Sequence, residues 1–310
     1  MTTTDPSLAN WTVAHIGDLS GQTALVTGAN SGLGLVTARV LAEAGAAVVM
    51  AGRNEQRLDA AATQLQRSLP AAQFEIQIID VSSLESVRVA VERLLASHSG
   101  IDLLINNAGI MATPRVVTPD GFERQFATNH LGHFALTGQL LPLLEARNGR
   151  VVAVSSLAAQ KGAIRFDDIQ HESRYDNWTV YRQTKLANLM FGREMSRRAA
   201  ASGSGVTATI AHPGISATNL AKDMSEGGFF HRIQAALFSL GGQSPELGAL
   251  PLVCAAVGPV SSGEFVGPNG IRESRGSGVS LSFVPEAAKD GAAAARLWDL
   301  SQELTGVEFL

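Results

Sequence analysis

Short apolar runs alternate along the chain with longer stretches in which apolar residues recur every three or four positions. TALVT (23–27), AAVVMA (46–51), FEIQIID (74–80), DLLINN (102–107), RVVAVSS (150–156) and VTATIAH (206–212) read as strands. Helical periodicity runs from Gly32 to about Ala44, near 83–98, within 120–146 and around Tyr181. Near-continuous apolar strands separated by helices predict an α/β chain with a parallel sheet covered by helices on both faces.

The regularity weakens from about residue 214. ISATNLAKDMSEGGFFHRIQAALFSLGGQSPE mixes polar, glycine and aromatic residues, which suggests a substrate lid over about 215–242. Its Phe229, Phe230, Ile233, Leu237 and Phe238 fit two roles equally, covering an apolar ligand or packing a helix on the sheet. A helix near 244–257, a turn-rich stretch around GPVSSGEFVGPNG and a helix near 286–304 follow. With no internal repeat and no linker, the reading is an N-terminal extension (1–20) and one domain (21–310).

Composition narrows the function classes. Hydrophobic residues make up 45% and charged residues 17% of 310, a globular balance with ample core. The net charge of -4 offers no clustered cations for phosphate backbones, so nucleic acid is set aside as a partner. Cys254, in the apolar run PLVCAAV, is the one cysteine and reads as a small buried hydrophobe. The N-terminus has no basic segment followed by an apolar core, and no run of 18 apolar residues occurs. A cytoplasmic protein without a membrane span is expected.

The first strand leads directly into TGANSGLG (27–34), where Gly28, Gly32 and Gly34 open a helix. Between a strand and a helix, such a loop suits a dinucleotide pyrophosphate, because glycine lets the backbone come close and the helix start offers free N–H groups. The spacing resembles the TGxxxGxG loop of the short-chain dehydrogenases/reductases and implies a Rossmann-type, doubly wound fold. FATNHLGHFALTGQLLPLL, RVVAVSS and the YxxxK of Tyr181 and Lys185 extend the resemblance, which runs over about 21–220. The long insert between Ser156 and Tyr181 is similar to that of the retinol dehydrogenase, WW-domain oxidoreductase and protochlorophyllide reductase group.

The cofactor choice turns on the end of the second strand. Gly52 stands where NAD-preferring members of the family carry Asp, and Arg53 follows. A guanidinium suits a 2′-phosphate, so NADP(H) is expected in preference to NAD(H). The resemblance places Asn30, Ser31 and Leu33 in the phosphate loop, and Asp80 and Val81 against adenine. It places Asn107, Ala108 and Gly109, of Asn106-Asn107-Ala108-Gly109, beside the cofactor, and Pro213, Gly214 and Thr218 at the nicotinamide carboxamide and diphosphate.

Reducing a carbonyl builds charge on oxygen, which calls for a polarising donor and a proton source. By resemblance Ser156 hydrogen-bonds that oxygen, Tyr181 exchanges the proton, and Lys185 tunes Tyr181 and binds the nicotinamide ribose. Asn129 holds a water in the same relay. Four positions apart on a helix, Tyr181 and Lys185 share one face, and a nearby ammonium is expected to lower the phenol's pKa. Ser155 competes with Ser156 for the donor role. His130 and His133, three apart, have no third ligand nearby and fit helix packing or a subunit contact better than a metal. The expected activity is interconversion of an alcohol with an aldehyde or ketone, lipophilic if the lid covers it. The alternatives are a dinucleotide-binding regulator without turnover and a sugar-nucleotide epimerase or dehydratase. Homo-oligomers, dimers or tetramers, are common in the family.

Overall fold

The computed structural model describes residues 8, 10–215 and 243–310. Thr218 and, apart from Ile215, the expected lid lie outside the described residues. Among the described residues eight strands form one sheet in the order β3-β2-β1-β4-β5-β6-β7-β8. They are β1 (Thr23–Thr27), β2 (Ala47–Gly52), β3 (Phe74–Ile78), β4 (Leu103–Asn106), β5 (Arg150–Val154), β6 (Thr207–Ala211), β7 (Phe265–Pro268) and β8 (Val279–Leu281). The first seven are parallel, and β8 turns back antiparallel along β7.

Side chains alternate between two cores, one on each face, as parallel strands buried on both sides require. In β1, Leu25 enters one core while Ala24 and Val26 enter the other. The second core is covered by α1 (Gly32–Glu43), α2 (Glu55–Ser68) and α6 (Pro245–Val257). Covering the first are α3 (Leu84–Ser97), α4, α5 (Asn177–Ser202) and α7 (Gly291–Thr305). Helix α4 runs through Arg124–Phe126, one π-turn at Ala127–Leu131, and Gly132–Gln139. Asp176 caps α5 by accepting from the Thr179 N–H, and left-handed Gly203 (φ 74°) ends it.

Helix α7 lies over α4 and α5. Trp298 stacks on Phe191 with centroids 5.7 Å apart, meets Phe134 at 5.0 Å and Phe309 at 4.7 Å, and carries the Arg198 guanidinium 4.9 Å above its ring.

Six predicted strands and most helices stand where the hydrophobic pattern puts them, with ends shifted by a residue or two. Helix α2 was not located by periodicity, because only Leu58, Ala61 and Leu65 of its fourteen residues are buried. Strands β7 and β8 lie in and just beyond the stretch that read as turns. They are only four and three residues long and flanked by glycine, too short for a period-2 signal.

Candidate active site

The strand order reverses between β1 and β4, and the loops at the carboxyl ends of these strands frame a cleft of about 630 Å³. Gly28 (φ 69°) and Gly32 (φ 55°) take the left-handed conformation that lets the loop double back. A Cβ on Gly34 would overlap the Gly28 carbonyl and sit 2.6 Å from Asn107 Nδ2, so α1 starts this close to the loop only with hydrogen there. The cleft is lined by the loop residues Gly28, Asn30, Ser31, Gly32, Leu33 and Gly34, then by Arg53, Asp80, Val81, Asn107, Ala108 and Gly109. Bare backbone facing the start of a twelve-residue helix fits a pyrophosphate, so the residues present fit a dinucleotide.

Thr27, the first residue of the TGANSGLG motif, ties this cleft together. Its buried hydroxyl accepts the Asn107 and Ala108 N–H groups, both at 2.9 Å. His133 Nδ1–H donates to the Asn129 carbonyl at 3.2 Å, which leaves Nε2 to accept from Thr27 at 3.0 Å. His133 is therefore a strut between the glycine loop and α4, and burial pushes its pKa down to about 3. His130 packs in the aromatic cluster, 5.3 Å from Phe126, and bonds Ser301 at 2.9 Å. Among the described residues, no three His, Cys, Asp or Glu side chains converge on a metal position.

The rim beyond β2 carries two cations. Arg53 was expected; Arg57, one turn later on α2, also lines the cleft. Among the described residues neither pairs with a carboxylate. Arg53 stands just before Asn54, the N-cap of α2, and Arg57 in the first turn, so the start of this helix is what brings the two side chains to one rim. Asp80 reaches the cleft with one oxygen already engaged, accepting from Ser82 N at 2.9 Å and Ser82 Oγ at 2.7 Å.

Past Gly109 the cleft meets the predicted catalytic group. A Cβ on Gly109 would lie 3.1 Å from Asn129 Oδ1 and 3.5 Å from Lys185 Nζ, so this glycine keeps the passage open. Lys185 Nζ sits 5.9 Å from the Tyr181 ring centroid and donates to the Val154 carbonyl at 3.1 Å. Ser156, whose Oγ accepts the Ala158 N–H at 3.1 Å, is the side chain that acts on the Tyr181 phenol, drawing its pKa down. Ser155 is buried and donates to the Lys185 carbonyl at 2.7 Å, a brace for α5, so Ser156 is the serine that faces the tyrosine. Asn129 accepts from Ile110 N at 2.8 Å and donates to Ile110 O and Thr184 Oγ1, both at 2.9 Å. Its amide joins the β4–α4 loop to α5.

The expected direction of the Tyr181 shift is corrected. Burial pushes the phenol up to about 12, with Ser156 opposing, and pushes Lys185 down to about 8. Both groups lie behind the cleft with little exposure, 6% and 5%, and desolvation outweighs an ammonium stationed 5.9 Å from the ring.

The insert before Tyr181 is held by polar contacts to the same elements. The Tyr175 hydroxyl lies 2.8 Å from the Thr113 carbonyl and 3.1 Å from Glu123, while Gln183 accepts from Arg165 N and donates to Ile169 O. Pro213 and Gly214 follow β6 at the same end of the sheet, outside the cleft lining, with Gly214 left-handed at φ 66°. Cys254 is buried in α6, its thiol pushed up to about 12 by burial.

Residues 22–227 match the short chain dehydrogenase family. Human retinol dehydrogenase 14 is 38% identical over 309 residues, covering 94% of this chain and 88% of its own. A solved Mycobacterium paratuberculosis protein, described as uncharacterized, is 43% identical with a TM-score of 0.79, over 97% of this chain and 99% of its own. The L-sorbose reductase of Gluconobacter frateurii, solved with NADPH and L-sorbose, shares the fold with a TM-score of 0.62 at 23% identity, over 81% of this chain and 95% of its own.

Proposed function

The chain belongs to the short-chain dehydrogenase/reductase family and is an oxidoreductase, and from that premise we propose that it interconverts an alcohol and an aldehyde or ketone with NADP(H). The observation that carries this reading is the Ser156–Tyr181–Lys185 group at the Gly109 end of a cleft built for a dinucleotide. The glycine loop would hold the pyrophosphate, Asp80 and Val81 the adenine, and Arg53 with Arg57 the 2′-phosphate. When bound, the dinucleotide supplies or takes up a hydride.

The protein's own groups manage the proton. Tyr181, with a pKa of about 12, holds its proton across the neutral range and can release it to an oxygen that gains charge. Ser156 hydrogen-bonds the same oxygen and fixes its position beside the phenol. Lys185, near 8, is charged at neutral pH and stabilises the phenolate that forms only during turnover. The substrate class proposed is apolar, in line with relatives named for retinol, a lipophilic alcohol.

The test is NADPH consumption across aldehydes and ketones of graded chain length, with NADH in parallel. Tyr181→Phe keeps NADPH affinity and loses turnover by about 10²–10⁴-fold, the usual worth of a positioned acid. Near-normal turnover in that variant refutes the assignment. A wild-type protein that binds NADPH and reduces nothing supports the regulator instead.

A further inference from the structure

We propose that Glu273 and His212 are positioning residues: Glu273, through His212, fixes the Pro213–Gly214 turn for the nicotinamide end of the dinucleotide. The proposal rests on the cofactor reading above, which puts that turn against the nicotinamide.

His212 follows β6 directly and is fully buried. Its Nδ1 accepts the Gly214 N–H at 3.1 Å, so the ring proton is on Nε2. Nε2–H faces Glu273 Oε2 at 3.1 Å and Ser282 Oγ at 2.9 Å. The second carboxylate oxygen, Oε1, accepts the Phe283 N–H at 2.9 Å. This chain of contacts fixes the tautomer: with Nε2–H held by the carboxylate, Nδ1 is left as an acceptor for the turn. Burial keeps His212 below its ordinary value against the pull of Glu273, so the ring stays neutral and its Nδ1 stays unprotonated, able to accept the Gly214 N–H.

The surroundings leave the ring one place to be. A Cβ on Gly267 of β7 would overlap Nε2, and the Phe265 ring lies 5.1 Å away. Left-handed Gly214 has no room for a side chain, since a Cβ would sit 2.6 Å from the Ser274 carbonyl. Ile215 N–H donates to that carbonyl at 2.8 Å, and Gln243 Nε2 donates to the Pro213 carbonyl at 2.8 Å. Residues 212–215 are thereby stitched to the segment that carries Glu273.

That segment is strained. Arg272 (φ 53°) and Glu273 (φ 55°) are consecutive non-glycine residues in the left-handed region, which side chains disfavour. Such backbone persists where the surroundings over-determine it, and here it delivers a carboxylate to a buried imidazole. Nothing in the hydrophobic core requires the carboxylate; the turn does.

The test uses the full chain with Glu273→Ala, Glu273→Gln and His212→Asn. Amide exchange of 212–215 is read in the free protein, NADPH affinity by fluorescence titration, and turnover against the best carbonyl substrate. In Glu273→Ala the Gly214 amide exchanges about tenfold faster and kcat falls about tenfold, while NADPH affinity, anchored at the phosphates, stays within about threefold. Glu273→Gln keeps one acceptor for Nε2–H but gives up the one for the Phe283 N–H, so it recovers part of both losses. His212→Asn, whose Oδ1 can stand in for Nδ1, protects Gly214 better than Glu273→Ala does. Unchanged exchange and kcat in Glu273→Ala overturn the proposal alone, as does a Glu273→Gln variant no better than Ala. Wild-type protein that binds no dinucleotide overturns the cofactor reading and the proposal together.

Discussion

Replacing Lys185 with methionine should stabilise the protein at neutral pH while abolishing turnover. The side chain is 5% exposed, and burial brings its pKa from the ordinary 10.5 down to about 8. Below about pH 8 the lysine is charged in both the folded and unfolded states, and burying that charge costs about 3 kcal/mol, at about 1.4 kcal/mol per pH unit of the gap. Between about 8 and 10.5 only the unfolded chain holds the proton, so this penalty fades and the contribution to stability rises with pH. Methionine keeps the aliphatic stem and gives up the bond from Nζ to Val154 O, worth about 1 kcal/mol. The Val154 carbonyl is not orphaned, because Asn188 Nδ2 also donates to it at 3.1 Å. The variant should therefore be more stable by about 2 kcal/mol near pH 7 and less stable by about 1 kcal/mol near pH 10.5. Urea unfolding of both proteins through that range gives the difference, in which every other titrating group cancels. A variant less stable than wild type at neutral pH, or a difference that stays flat with pH, refutes the reasoning.

Arg53→Ala and Arg57→Ala should each raise the KM for NADPH by about tenfold or more, the worth of a charge-assisted hydrogen bond, and leave that for NADH nearly unchanged. Equal effects on both dinucleotides in steady-state kinetics would remove the arginines from the 2′-phosphate. Thr27→Val keeps the shape of the side chain but orphans Ala108 N–H and His133 Nε2, at about 1–3 kcal/mol each; a loss below about 1 kcal/mol in urea unfolding counts against the strut. Trp298→Ala should cost about 3–5 kcal/mol by the same measurement. Trp298→Phe should cost less, because the indole N–H has no partner among the described residues.

Legibility in the sequence follows the range of the physics involved. The glycine loop was readable because its requirements are local: positive φ at Gly28 and Gly32 and no room for a Cβ at Gly34. The sheet was readable because each strand carries its own apolar run. What escaped depends on distance along the chain. Arg57 needed α2 to share a rim with Arg53. Glu273 reaches His212 across 61 positions on a left-handed backbone that no residue type there announces. The Tyr181 shift had the wrong sign because sequence shows who the neighbours are, while desolvation depends on who excludes water. Both serines lay in one motif, and only the partner each meets on α5, the Lys185 carbonyl for Ser155 and the Tyr181 phenol for Ser156, separated their roles.

The position of α7 sets an order of events during synthesis. The glycine loop, the rim arginines and the first four strands leave the ribosome early and are adjacent in sequence. Helix α5, which carries Tyr181 and Lys185, gains Trp298 against its Phe191, and Phe309 closes on Phe134 of α4, only when the residues around 291–310 emerge. A growing chain can thus shape its phosphate loop well before its proton donor is held rigidly. Dinucleotide binding and turnover should appear at different chain lengths, with turnover the later of the two.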